Sequence, residues 1–160
     1  MRKQYLLECK HIQENCTYTA ESHHILSDRG KRLGIWFQLV PTVIAAILAS
    51  LVMLQMAPLV VNGLTVIAAV VSAVANVLNP LKDYYDHLNA AKNFTALKHD
   101  ARALHELFSG NMNDKDFALA VETLHNRYND LIRFVPPTDS KAFEEARKRI
   151  KEGIHEPDFK

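Results

Sequence analysis

From Leu33 to Leu81 the chain runs for 49 residues without one Asp, Glu, Lys, Arg or His. A helix rises about 1.5 Å per residue and needs about 20 residues to cross a hydrocarbon core of about 30 Å. The run is therefore too long for one crossing and long enough for two crossings and a turn. Pro58 supplies the punctuation: Leu33 to Gln55 reads as a first helix and Leu59 to Leu81 as a second, joined near Met56 to Pro58. Paired core helices of a water-soluble domain would each show a charged face where they met water, and neither helix has one. The pattern predicts a two-helix membrane hairpin.

All ionisable side chains lie outside this run, in residues 1–32 and 82–160. Lys and Arg total 19 against 18 Asp and Glu in 160 residues, which suits one domain and lacks the basic surplus that direct nucleic-acid binding needs. Residues 1–32 are polar and charged, unlike a cleaved signal peptide. Arg29, Lys31 and Arg32 precede the first membrane helix and Lys82 follows the second, whereas the connecting turn has no cation, so both termini are expected in the cytoplasm. Trp36, Tyr84 and Tyr85 would sit at the same interface. The glycosylation-like tripeptides beginning at Asn15 and Asn93 would then lie in cytoplasmic helices and carry no meaning.

The flanks read as helical. Tyr5, Cys9, Ile12, Cys16, Ala20, His23 and Ser27 recur at steps of three and four, a seam on a helix leading to the first membrane segment. Cys9 and Cys16 share a face but stand about 10.5 Å apart along the axis, beyond disulfide reach, and read as buried free thiols. Leu81, Tyr84, Leu88, Ala91, Phe94, Leu97, Ala101, Leu104 and Phe108 draw a second seam, which predicts that the second membrane helix continues unbroken to Gly110. Asn113 and Asp114 cap a third helix with Phe117, Val121, Leu124, Tyr128, Leu131 and Val135 inward, folded back on its predecessor until Pro136 and Pro137 end it. A last helix from Ser140 to Glu152 is expected to bury Phe143, Ala146 and Ile150 before Gly153. The fold class is all-α: a two-helix transmembrane hairpin continuous with a cytoplasmic antiparallel helical bundle.

Catalytic patterns are lacking. The glycines stand singly, so no phosphate-cradling loop forms. The 8 histidines include no His-Glu-x-x-His, and the adjacent His23 and His24 point around the helix rather than along one face. His99-Asp100 resembles the dyad of metal-dependent phosphohydrolases, but the further His and Asp ligands that a working site needs have no recognisable setting. No enzymatic activity, cofactor or metal is expected.

The second membrane helix does carry a pattern. Asn62, Thr65, Ala69, Ser72, Asn76 and Asn79 follow one another at steps of three and four, and every polar residue of that helix is among them. The first helix has a looser counterpart in Gln38, Thr42, Ala45 and Ala49. Amides are costly against lipid and must find partners or water. Gln38, Thr42, Asn62, Thr65, Ser72, Asn76 and Asn79 are therefore candidates either for helix packing within the hairpin or for lining a water path between several hairpins.

With these features the chain resembles the SLATT family, two-helix membrane proteins that accompany SMODS nucleotidyltransferases, SLOG sensors or reverse transcriptases in prokaryotic conflict systems. The resemblance lies in the polar helix through Tyr18 to Arg32, the run Leu33-Gly34-Ile35-Trp36, the close of the hairpin at Asn79-Pro80, the long helix from Tyr84 to Phe108 and the tail from Pro136 to Phe159. It implies an inner-membrane effector, a homo-oligomer that makes pores or disrupts the bilayer when triggered, with one of those three proteins as partner. It brings no catalytic residues. The competing expectation is a membrane-anchored adaptor, in which the hairpin only tethers a helical partner-binding module.

Overall fold

A computed structural model describes residues 2–54 and 58–153. The described residues are helical, without a strand: α1 (Arg2–Met53), α2 (Pro58–Leu78), α3 (Pro80–Ala103), a five-residue π-helical segment (Leu104–Phe108), α4 (Asp114–Phe134) and α5 (Ser140–Lys151). The chain divides into two compact units, one formed by Met1–Ser27 with Asp86–Lys160 and the other by Asp28–Tyr85. These bounds fall about one helical turn outside the limits at residues 32 and 82 read from charge.

In the first unit the seams are what the interior is made of. Cys9, Ile12, Cys16 and Ala20 of α1, Phe94, Leu97 and Ala101 of α3, Leu104 of the π segment, and Phe117, Val121 and Leu124 of α4 form one buried cluster. Tyr5 meets Phe117 edge-on at 6.4 Å, and Phe94 meets Tyr128 at 6.5 Å. The helix α4 returns along α3, bringing Arg127 to Asp100 at 2.7 Å, so the His99-Asp100 pair supplies a surface ion pair. The ends of α4 obey helix-terminus chemistry: the Asn113 side chain accepts from the Asp116 amide at 2.9 Å, Asp114 and Asp116 occupy the positive end and Arg133 the negative end. Likewise the Asp139 carboxylate caps α5 at the Ala142 amide, and Gly153 takes φ 86° after it.

Two expectations for this unit need correction. In α5 the buried residues are Ala142 and Ala146, which pack with Ile25 of α1, while Ile150 is half-buried and Phe143 is 43% exposed. Small residues let α5 lie close, and Phe143 is left to cover Tyr18 from the side at 6.0 Å. Phe108, the last member of the α3 seam, is also exposed. The widened π turn rotates the residues after Leu104 off the face that Ala101 and Leu104 share.

The second unit contains the uncharged run. The first membrane helix read from sequence is the C-terminal part of α1, which is one helix from Arg2 to Met53 and accommodates Pro41 within it. Leu54 is a turn residue; Gln55, the expected end of the first helix, and Met56 and Ala57 of the expected turn lie outside the described residues. The second helix begins at Pro58, where a missing N–H removes no hydrogen bond, and ends at Leu78. The expected unbroken rod to Gly110 is not found. Asn79 breaks it with φ 43°, and the π segment interrupts it again. Pro80 is the cause of the first break, since it disfavours the helical region for the residue before it. Asn79 serves both sides of the break: its amide donates to the Ala75 carbonyl at 2.9 Å, and its side chain accepts from the Lys82 amide at 3.3 Å.

Close to that break the unit is tightest. A Cβ on Gly30 would stand 3.0 Å from the Tyr84 amide nitrogen and 3.1 Å from the Pro80 carbonyl oxygen, so glycine permits a backbone approach that any side chain would push apart by a few tenths of an ångström. One turn on, a Cβ on Gly34 would overlap the Leu81 side chain. Gly30, Gly34 and Pro80 are the buried residues of this unit among the described residues.

Candidate functional site

The polar residues singled out in the uncharged run can now be placed. Gln38 and Thr42 are exposed on α1, Asn62, Thr65 and Asn76 are exposed on α2, and Ser72 is half-buried. Asn79 is exposed too, but it sits in the break and not on the helix, with a capping role of its own. The half-buried stripe of α2 consists of Val61, Leu64, Ala68, Val71, Ser72 and Ala75. Asn62, Thr65, Ala69, Ser72 and Asn76 each follow one member of that stripe, so their seam lies about 100° around the helix from it. On α1 the half-buried positions of the run are Phe37, Val40, Pro41, Ile44, Leu48 and Leu51, again apolar. Within one chain, Ser72 alone of the seven joins a half-buried stripe.

Their hydrogen bonding separates hydroxyls from amides. Thr42 donates to the Gln38 carbonyl at 2.7 Å and Thr65 to the Val61 carbonyl at 2.9 Å, so both hydroxyls are satisfied one turn back on their own helix. The side-chain amides of Gln38, Asn62 and Asn76 make no hydrogen bond among the described residues. Each presents two donors and an acceptor to its surroundings.

The side chains on either side of them along these helices are apolar. Two helices, Arg2–Met53 and Pro58–Phe108 counted across the Asn79 break, are long and apolar enough to cross a membrane, and no residue is buried in the 18-residue apolar window of either. The core helix of a soluble protein would have that window covered. Trp36, Val66, Ile67, Val70 and Val77 all stand exposed instead.

Outside the seam, the first unit holds polar groups whose partners the sequence did not disclose. His23 is buried and its Nδ1 lies 2.8 Å from Nδ1 of His87, one ring donating and the other accepting. The Phe94 ring stacks on His23 at 5.8 Å and 13°. Burial first, then His87 and His24, hold the His23 imidazole down to about 4. Glu21, nearly buried, receives a hydrogen bond from Arg149 of α5 at 3.1 Å, and Arg149 also donates to Glu145 at 2.6 Å. Burial opposes the guanidinium charge there, but the two carboxylates outweigh it and raise the arginine above its usual range. His23 is legible as an inward position on α1, whereas Glu21 lies off the seam and its burial is not; nor is it legible that their partners lie 64 and 128 residues away.

The thiols are inert by environment. Cys9 and Cys16 are buried and free, and burial pushes them up to about 11 and about 12, helped for Cys9 by the charge of Glu8 and opposed for Cys16 by Lys98. No group of three or more His, Cys, Asp or Glu capable of holding a metal ion occurs among the described residues. Comparison with protein-family models, with curated proteins and with solved structures finds no match to this chain.

Proposed function

We propose that this chain is an inner-membrane effector of a prokaryotic conflict system, which oligomerises and permeabilises the bilayer when triggered. In this reading the C-terminal part of α1 and α2 cross the membrane as a hairpin, and the charged helices stay with both termini in the cytoplasm. The observation that carries it is the pairing of uncovered apolar windows with unpartnered amides on the same two helices. Exposed Val, Leu and Ile over such a length are stable against lipid and unstable against water. Bare amides are the reverse: each unsatisfied group costs several kcal/mol in hydrocarbon.

One hairpin cannot enclose water, whereas several arranged about an axis can, with Asn62, Thr65 and Asn76 facing a common path or bonding across the contacts. Uncharged amides give such a path little charge selectivity, which suits depolarisation rather than selective transport. The resemblance to the SLATT family supports the same role. It implies that a nucleotidyltransferase, a SLOG sensor or a reverse transcriptase supplies the trigger. No catalysis by this chain is part of the proposal.

The test is efflux of a small dye from vesicles holding the purified chain. Efflux that rises with protein density and falls in an Asn76→Leu variant supports the reading. Vesicles that stay sealed around a correctly inserted, cross-linkable oligomer once the triggering partner and its signal are added contradict it. The adaptor alternative separates in cells: exchanging residues 33–81 for an unrelated hairpin leaves an adaptor working and abolishes an effector.

A further inference from the structure

The pair formed by His23 and His87 is built in a way that a structural contact does not require. An imidazolium donates from both ring nitrogens and accepts at neither, so an Nδ1–Nδ1 contact at 2.8 Å exists only while at least one ring is neutral and presents a bare Nδ1. A first proton can be shared across the bond, but it places a charge in the interior under the Phe94 ring. A second proton leaves two facing donors and no acceptor. The bond ties α1 to α3 at the point where Cys16, Ala20 and Phe94 of the buried cluster give way to Ser27, at the edge of this unit.

We infer that His23 and His87 form an acid-opened clasp between α1 and α3. The inference concerns the helical unit alone and does not rest on the membrane reading.

The groups around the clasp set its direction. On α1 they are His24 and Glu21, the latter held by Arg149 of α5; on α3 they are His87 itself and the adjoining Asp86; on α4, across Phe94, stands the Tyr128 hydroxyl, which burial raises above its usual range. Burial and the two neighbouring histidines depress His23 from 6.5 to about 4. The neutral form is therefore the one that the folded unit prefers. The contribution of the clasp is complete above pH 6.5, where His23 is neutral folded or unfolded, and is lost progressively as the pH falls from 6.5 toward 4. The result is a contact indifferent to pH in the neutral range and weakened by acidification.

Hydrogen–deuterium exchange on the full-length protein in detergent micelles at pH 7.5 and pH 5, normalised for intrinsic exchange, reads the opening. The amides of residues 17–27 and 86–96 are expected to open roughly 30-fold more readily at pH 5, from the His23 shift alone. A variant carrying His23→Phe with His87→Leu, which fills the contact with apolar groups, is expected to lose that response. Opening in the wild type that does not change with pH, or an equal response in the double variant, overturns the clasp. Should the double variant not fold, the imidazole nitrogen resonances of the wild type decide. A His23 midpoint below pH 5.5 sustains the inference, and one at or above it overturns the inference.

Discussion

The two units of this chain bury opposite things. In the first, most apolar seam positions are covered and most charged residues face out: Cys9, Cys16, Phe94, Leu97 and Phe117 have no exposed surface. In the second, α2 has no buried residue, Leu59 and Val77 are more than four-fifths exposed, and the buried residues among those described are Gly30, Gly34 and Pro80. On the membrane reading proposed above, one polypeptide follows two solvents. Where water surrounds the helices, burial selects the large apolar side chains. Where the surroundings are themselves apolar, hydrophobicity gives no reason to hide them, and close contact falls to small residues that let backbones approach.

The largest expected effect separates the units at their interiors. Phe94→Ala removes a fully buried ring that touches His23 and Tyr128 and should destabilise the first unit by about 3–5 kcal/mol in denaturant unfolding. Val66→Ala, at an exposed position of α2, should change unfolding by less than about 1 kcal/mol. Next comes the exposed surface. Ile67→Lys should oppose insertion by about 2.5–3.5 kcal/mol if lipid surrounds α2, read as the fraction recovered in membranes, while Leu119→Lys on α4 should be near neutral. Equal tolerance of lysine at both sites would break the comparison.

Smaller effects sharpen it. Gly30→Ala forces a methyl against the Tyr84 and Pro80 backbones and should cost about 1–3 kcal/mol in thermal stability. Gly63→Ala, with open space around it, should be neutral or slightly stabilising, because alanine is the better helix former. Arg149→Ala strips the nearly buried Glu21 of a partner and should cost about 2 kcal/mol, detectable as faster exchange in α5. Last, Cys9 and Cys16 should react with a maleimide at pH 7.5 far more slowly than a free thiol until the first unit is unfolded, as burial and their raised pKa values near 11 and 12 both require.

The same contrast decides what the sequence discloses. Steps of three and four mark the α1 seam from Tyr5 to Ser27, and the structure buries Cys9, Ile12, Cys16, Ala20, His23 and Ser27 on it, because in water periodicity and burial report one face. The caps at Asn113 and Asp139 rest on local chemistry, and the Asn113 cap was legible for that reason. In the uncharged run that rule fails. The polar seam from Asn62 to Asn76 is periodic, yet the half-buried stripe lies one residue earlier, from Val61 to Ala75, and only Ser72 belongs to both. Asn79 looks like the last member of that seam, but the proline after it disfavours the right-handed helical region there, and asparagine tolerates the left-handed conformation that makes it a junction. The π segment and the exposure of Phe143 and Phe108 depend on packing across helices, which spacing along one helix does not encode. The His23–His87 and Glu21–Arg149 pairs belong to the same category.

The proposed function depends on lipid being the medium of the second unit. Alkaline carbonate extraction of membranes from cells expressing the full chain tests that claim most directly, since it strips peripheral proteins and leaves spanning ones. The account predicts that the protein stays in the membrane pellet and leaves it only with detergent. Quantitative release into the supernatant as folded, unaggregated protein would contradict it.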